Sequence, residues 1–193
     1  MGHDLSMLQA DLPHAPDEVL NEWLAPYAEM LGWPPTPDRH SCPSGRWQGI
    51  LSRRPVAFWA QIRWRLESSS LEFGDIDEES RLRVCGLRDA HVFDHRNAYS
   101  EIHDGKQRIK SIMSYVRQHG TVPSALIFLD AGSQLEVIDG HNRLVVYFLN
   151  RDPMFRQALP VGVAEFDPAV RKWIGKFHKE AKSLLPIAAT PSG

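Results

Sequence analysis

Apolar residues recur along this chain in three textures, and each predicts a different kind of element. In residues 12–70, Leu20, Trp23, Leu24, Tyr27 and Leu31 return at helical spacing after Pro16, which predicts a helix starting there. Pro26 falls inside that pattern and is expected to kink or split it, because proline has no N–H to donate. The stretch Trp33 to Gly45 holds four prolines and reads as a loop. A second helix is expected from a Ser52 cap, with Pro55 in its first turn and a stripe of Phe58, Trp59, Ile62 and Leu66.

Residues 82–166 carry a mixed signal. Arg81 to Leu87 suits a short strand, and residues 93–105 read as a polar loop. Lys106 to His119 then puts Ile109, Ile112, Met113 and Val116 on one helical face, with Gly120 as the stop. Ala125–Leu129 and Leu135–Ile138 are short apolar runs of strand length, separated by a turn at Asp130–Ser133. Leu159 to Phe166 is expected to be the last strand. The third texture predicts a helix capped by Asp167, opened by Pro168 and ended by Pro186, with Val170, Trp173, Ile174, Phe177, Ala181, Leu184 and Leu185 on its apolar stripe. The fold class expected is α+β, with a helical N-terminal region over 1–80 and an α/β domain with a C-terminal helix over 81–193.

Composition narrows the classes of function. The chain has 193 residues, 42% of them hydrophobic, and a net charge of −2. That charge disfavours DNA held by charge alone, although a local basic face is left open. No apolar run approaches the roughly 20 residues of a membrane span, and Asp4 and Asp11 interrupt any signal-peptide core. Cys42 and Cys85 form no CxxC motif, as expected of two reduced thiols in a cytoplasmic protein. Five of the six tryptophans lie before residue 70, where packing against the second region is the expected role.

The densest chemistry is at Leu135-Glu136-Val137-Ile138-Asp139-Gly140-His141-Asn142-Arg143-Leu144. An apolar β-branched run ends at Asp-Gly, and polar groups gather where the next element begins. Periodicity allows two continuations. In one, Asp139–Asn142 is a hairpin turn between paired strands. In the other, a helix opens after Gly140 and offers its free N–H groups and positive dipole end to an anion.

The order of a helix over 106–119, Gly120, two short strands and then Asp-Gly-His-x-Arg-Leu resembles the ParB/sulfiredoxin-like superfamily. The likeness covers roughly residues 82–166, and it implies that a helix follows Gly140. Sulfiredoxin-type members carry a catalytic Cys after the motif glycine, where this chain has His141. Chromosome-partitioning members read DNA with a further helix-turn-helix domain, for which only one expected helix is left here. Small-molecule kinases of the fold, such as free-serine kinases, are the branch most similar at Asp-Gly-His-x-Arg.

That branch implies an ATP- or ADP-dependent phosphotransferase acting on a small hydroxyl-bearing metabolite, with Mg²⁺ as companion ion. The alternative is a non-enzymatic nucleotide- or DNA-binding module. On the kinase reading Gly140, His141, Asn142 and Arg143 bind phosphate, with Arg143 as a planar bidentate donor. Asp139 is a Mg²⁺ ligand or a base, or else a helix cap; His141 is a proton donor or phosphate ligand. Glu101 is the choice for the group that deprotonates the acceptor, taken from Arg96, Glu101, His103 and Asp104 in the polar loop. His91 and His95 are a weak metal pair without a third ligand.

Overall fold

The computed structural model describes residues 5–102, 104–157 and 165–177. These residues fall into two compact units, divided at Arg65/Leu66 and at Ile174/Gly175. In the first unit α1 (Ser6–Asp11) and α2 (Asp17–Val19) lead into a π-helical turn, Leu20–Leu24, and then α3 (Ala25–Leu31). The expected break thus lies just before Pro26, which sits in the first turn of α3 where its missing N–H costs no helical bond. The Trp33–Gly45 loop precedes α4 (Gly45–Ile50) and α5 (Val56–Trp59).

The tryptophans of this unit pack on one another. Trp23 meets Trp59 with ring centres 4.7 Å apart, and Trp33 meets Trp47 at 5.4 Å. Their edges are tied down as well: Trp23 Nε1 donates to the Ile50 carbonyl, and Trp33 Nε1 to Asp11 Oδ2.

Strand β1 (Ile62–Ser69) corrects the second helix expected over 52–66. The alternation Ile62-Arg-Trp64-Arg-Leu66-Glu has period two, and it takes over once α5 ends at Trp59. A short 3₁₀ turn, Phe73–Asp75, leads to α6 (Glu78–His91), α7 (Gly105–His119), β2 (Leu126–Asp130), β3 (Leu135–Asp139), α8 (His141–Arg151), α9 (Pro153–Arg156) and β4 (Val170–Phe177). The sheet order is β1-β4-β2-β3, and β1 and β4 each have residues in both units. The fold class is α+β, as expected.

Helix α6 overturns the strand expected over Arg81–Leu87. Asp77 caps it by accepting from the Ser80 N–H at 2.7 Å, and Glu78 and Glu79 fill its first turn. Ser80, Val84, Leu87 and His91 are buried at helical spacing, whereas Leu82, which a strand would pair with Val84, is 65% exposed. Strand β4 likewise replaces the first part of the helix expected after Asp167. Asp167 makes a local turn by accepting from Ala169 N–H at 2.8 Å instead of capping a helix. Gly175 accounts for the close approach of β4 to β1. A side chain there would come within 2.7 Å of Ile62 Cγ2 and 3.0 Å of the Trp64 ring, so only glycine allows this approach to β1. Residues 178–185 of that expected helix, and 159–164 of the last expected strand, lie outside the described residues; 165–166 are not in a strand.

The elements expected from residue 106 to 151 stand. Gly120 ends α7 in the left-handed conformation at φ 68°. β2 and β3 pair antiparallel, with Phe128 opposite Val137 and Ile127 opposite Asp139 across a bulge. The core of the second unit gathers Ile76, Val84, Ile109, Val116, Phe128 and Val137 with Leu144 to Leu149 of α8. Tyr147 Oη, fully buried there, accepts from the Leu71 N–H at 3.0 Å and lies 2.8 Å from the Pro168 carbonyl oxygen. Among the described residues no helix is long and apolar enough to cross a membrane. Cys42 and Cys85 are both free thiols.

Tyr147→Phe removes that hydroxyl and strands the buried Leu71 N–H. A loss of about 1–3 kcal/mol is expected in denaturant unfolding, with an unchanged slope.

Candidate functional site

The turn between β3 and α8 is a strand-to-helix handover, so the hairpin alternative is excluded. Gly140 is its pivot, at φ 100° and ψ 16°. It is also the N-cap of α8 and brings no side chain to cap the first turn, whose bonding begins with Leu144 N–H to the Gly140 carbonyl at 2.9 Å. A Cβ at this position would lie 2.6 Å from Leu126 Cδ2 and 3.2 Å from Arg143 Nε. Both the backbone conformation and the space therefore call for glycine.

Arg143 sits one turn into α8 and is buried. It folds back over Gly140, where Nη2 meets Asp139 Oδ2 at 2.5 Å and Nη1 donates to Ser124 Oγ. One guanidinium thereby ties the end of β3, the start of α8 and the loop before β2. Asp139, with 31% of its side chain exposed, is the partner of this cation and not the helix cap.

His141 is the first residue of α8 and is half-buried. Desolvation of its ring, reinforced by the Arg83 cation, pushes its pKa down to about 3, so it is neutral at pH 7. Asn142 follows with its Oδ1 buried and, among the described residues, without a hydrogen-bond partner. Asp139, Gly140, His141, Asn142 and Arg143 are thus brought together at one turn. Glu101 is not: it is exposed in the loop before α7, and no hydrogen bond or ion pair among the described residues ties it to that turn.

The rest of that loop is occupied locally. Asp94 pairs with Lys106 at 2.6 Å, which holds its carboxyl below the usual range, and Asp104 pairs with Arg108. Arg96 and His95 are exposed, and His103 lies outside the described residues. His91 is buried against Gly105. Among the described residues no three His, Cys, Asp or Glu side chains are grouped to hold a metal.

Two residues of the site were not legible in the sequence. Arg83 was hidden because its segment reads as a strand; a helix from Asp77 carries it to His141. Ser124 carried no signal, since nothing in Pro-Ser-Ala announces a partner for a side chain 19 residues further on. No protein-family model matches this chain, and neither does a curated protein or a solved structure.

Gly140→Ala is expected to cost about 2 kcal/mol or more, from the left-handed backbone and the overlap with Leu126, as read by chemical denaturation. The pH dependence follows from His141. The unfolded chain binds its proton near pH 6.5 and the folded protein only near 3, so stability falls as pH drops through that window. His141→Gln should flatten this part of the acid limb in unfolding experiments between pH 3 and 7.

Proposed function

We propose that the β3–α8 turn holds the phosphates of a nucleotide and that the protein is an ATP- or ADP-dependent phosphotransferase acting on a small hydroxyl-bearing metabolite. The observation that supports this best is the opening of the 11-residue α8 by a residue without a side chain, beside the cations of Arg143 and Arg83. Helix N–H groups, the positive dipole end and two guanidiniums all favour a multiply charged anion. The succession of α7, Gly120, β2, β3, Gly140 and α8 is also the one that a ParB/sulfiredoxin-like core requires, and it supports that assignment.

The roles follow from chemistry. Backbone N–H groups of the first turn receive phosphate oxygens, and Gly140 lets them approach. Arg143, already oriented by Asp139 and Ser124, offsets the charge that develops on the transferred group. Neutral His141 offers an N–H to a phosphate oxygen, and an arriving dianion raises its proton affinity. Asn142 adds a contact from the same turn. A single carboxylate, Asp139, fits a Mg²⁺ that arrives with the nucleotide and takes its other ligands from phosphate and water. When bound, that ion neutralises phosphate charge. Glu101 is the base proposed for the acceptor hydroxyl.

A second reading, a nucleotide- or DNA-binding module without turnover, is favoured by one observation. Asp139 Oδ2 is engaged by Arg143 at 2.5 Å, so the carboxylate nearest the turn serves the fold.

Thermal-shift measurements with ATP, ADP, CTP and GTP, with and without Mg²⁺, test the site. A nucleotide at a hundredfold excess over its Kd should add about 2.7 kcal/mol of stability. Arg83→Ala, at an exposed position, should weaken that binding by about tenfold while leaving the Tm of the free protein unchanged. No shift with any nucleotide at millimolar concentration removes the proposal, and binding without ATP or ADP turnover selects the second reading.

A further inference from the structure

The loop between α6 and α7 folds back along α6. Its ends meet where the His91 ring fills the space that a Cβ on Gly105 would need. Between them the chain binds itself. Asn97 N–H donates to Ser100 Oγ at 2.9 Å, Tyr99 N–H to Asn97 Oδ1 at 2.8 Å and Ile102 N–H to the Tyr99 carbonyl at 3.2 Å. Asn97 Nδ2 donates to the Gly86 carbonyl of α6 at 2.9 Å, and the Tyr99 ring lies where a Cβ on Gly86 would overlap it. Residues 92–102 thus form a compact loop, docked about one and a half turns back along the helix.

That dock lies level with the β3–α8 turn. Asp77 N–H donates to the Leu135 carbonyl and Val137 N–H to Ser80 Oγ, both at 3.0 Å, so α6 and β3 run the same way from a shared start. Gly86 is six residues beyond Ser80, about 9 Å along the helix. Gly140 is three residues beyond Val137, about 10 Å along the strand. Arg83, Gly86 and Ala90 share one line of α6. On that line Ala90 is buried, Gly86 carries Tyr99, and Arg83 is exposed. The loop therefore reaches to within one turn of Arg83, about 5 Å. Arg96, immediately before Asn97, is exposed at that tip, and among the described residues no carboxylate pairs with it.

We propose that Arg96, presented by the docked loop, is a phosphate-binding cation of the nucleotide site. This role rests on nucleotide binding at the β3–α8 turn. Charge gives the reason for a further cation there. Arg143 is matched by Asp139 and His141 is neutral, which leaves Arg83 as the uncompensated cation beside the turn. A chain of phosphates carries several negative charges, and a second uncompensated guanidinium offsets more of them. An arginine side chain is long enough to cross one helical turn, and its planar fork gives two N–H bonds to one phosphate. Arg143 holds the phosphates from the buried side of the turn and Arg96 from the open side. Glu101, two residues beyond Tyr99, is carried by the same loop, so the socket at Gly86 positions both residues.

Isothermal titration of the full chain with Mg²⁺-ATP and with inorganic triphosphate tests this, and thermal unfolding checks the fold of each variant. Arg96→Ala should weaken both ligands about tenfold or more, as loss of a charge-assisted contact does, and leave the Tm of the free protein unchanged. Gly86→Ala displaces Tyr99 while raising the helix propensity of α6, so it should weaken both ligands as well. In the double variant the two losses should not add, because Arg96 acts only from the docked loop. If Gly86→Ala does not fold, Tyr99→Ala takes its place. Unchanged affinity in Arg96→Ala, a loss confined to ATP, or fully additive losses overturns the role of Arg96 alone. Absence of ATP and triphosphate binding by the wild type overturns the nucleotide reading together with it.

Discussion

The second unit depends on burying α8 on every side. Leu144 to Leu149 are each at most 2% exposed, so this helix has no solvent face over two turns. A helix that is apolar all round must be wrapped, and α6 and α7 both pack along it. Phe73 and Phe155 close on Phe148 with ring centres 5.1 and 5.7 Å away. Each large side chain buried this way contributes about 1.5–3 kcal/mol, which makes α8 the element that the others are arranged around. Its one hydroxyl in that stretch, on Tyr147, is satisfied by the backbone at Leu71 and Pro168.

Burial of the body of α8 gives its N-terminus a fixed position. The helix cannot slide without exposing its core residues, so Gly140, His141 and Asn142 are held at the end of β3. Arg143 marks the boundary between apolar core and polar turn. Its ion pair with Asp139 is only partly shielded from water, so its value lies less in net stability than in holding strand end, helix start and the Ser124 loop in one geometry. Desolvation and the Arg83 cation keep His141 neutral. A turn built this way is preorganised: its groups are oriented by the fold before any ligand arrives.

Several of these features could be read from the chain, and others could not. The run from Lys106 to Arg151 was legible because each boundary has a local cause. Gly120 ends a helix in the left-handed conformation, Asp130–Ser133 is a turn, and Asp-Gly stops a β-branched strand. The Val145-Val146-Tyr147-Phe148 stretch was ambiguous, since its residues favour strands while its place in the core demands a helix. Residues 62–66, 81–87 and 170–177 form a different element from the one their pattern predicts, for a related reason. In each, apolar positions fit both a helical and an alternating pattern over a short window; the Asp77 cap favours the helix at 81–87, and partners distant in sequence meet at the two strands. Gly175 against Ile62 and Trp64 is a contact spanning more than half the chain. The same holds for the sites: Asp139 to Arg143 are neighbours in sequence, while Arg83 reaches His141 only because α6 is a helix.

The sequence by itself determined the mixed composition of elements, the glycine pivots at 120 and 140, and the cluster of polar residues at the start of α8. Those are set by backbone sterics and by spacing within a few residues. The tertiary structure alone decided which short apolar runs became strands, that Arg143 is tied to Ser124, and that a buried Lys172 meets Ser69 across 103 residues of chain. Local propensity differs by only a fraction of a kcal/mol per residue between such alternatives, and the burial gained through long-range packing exceeds it.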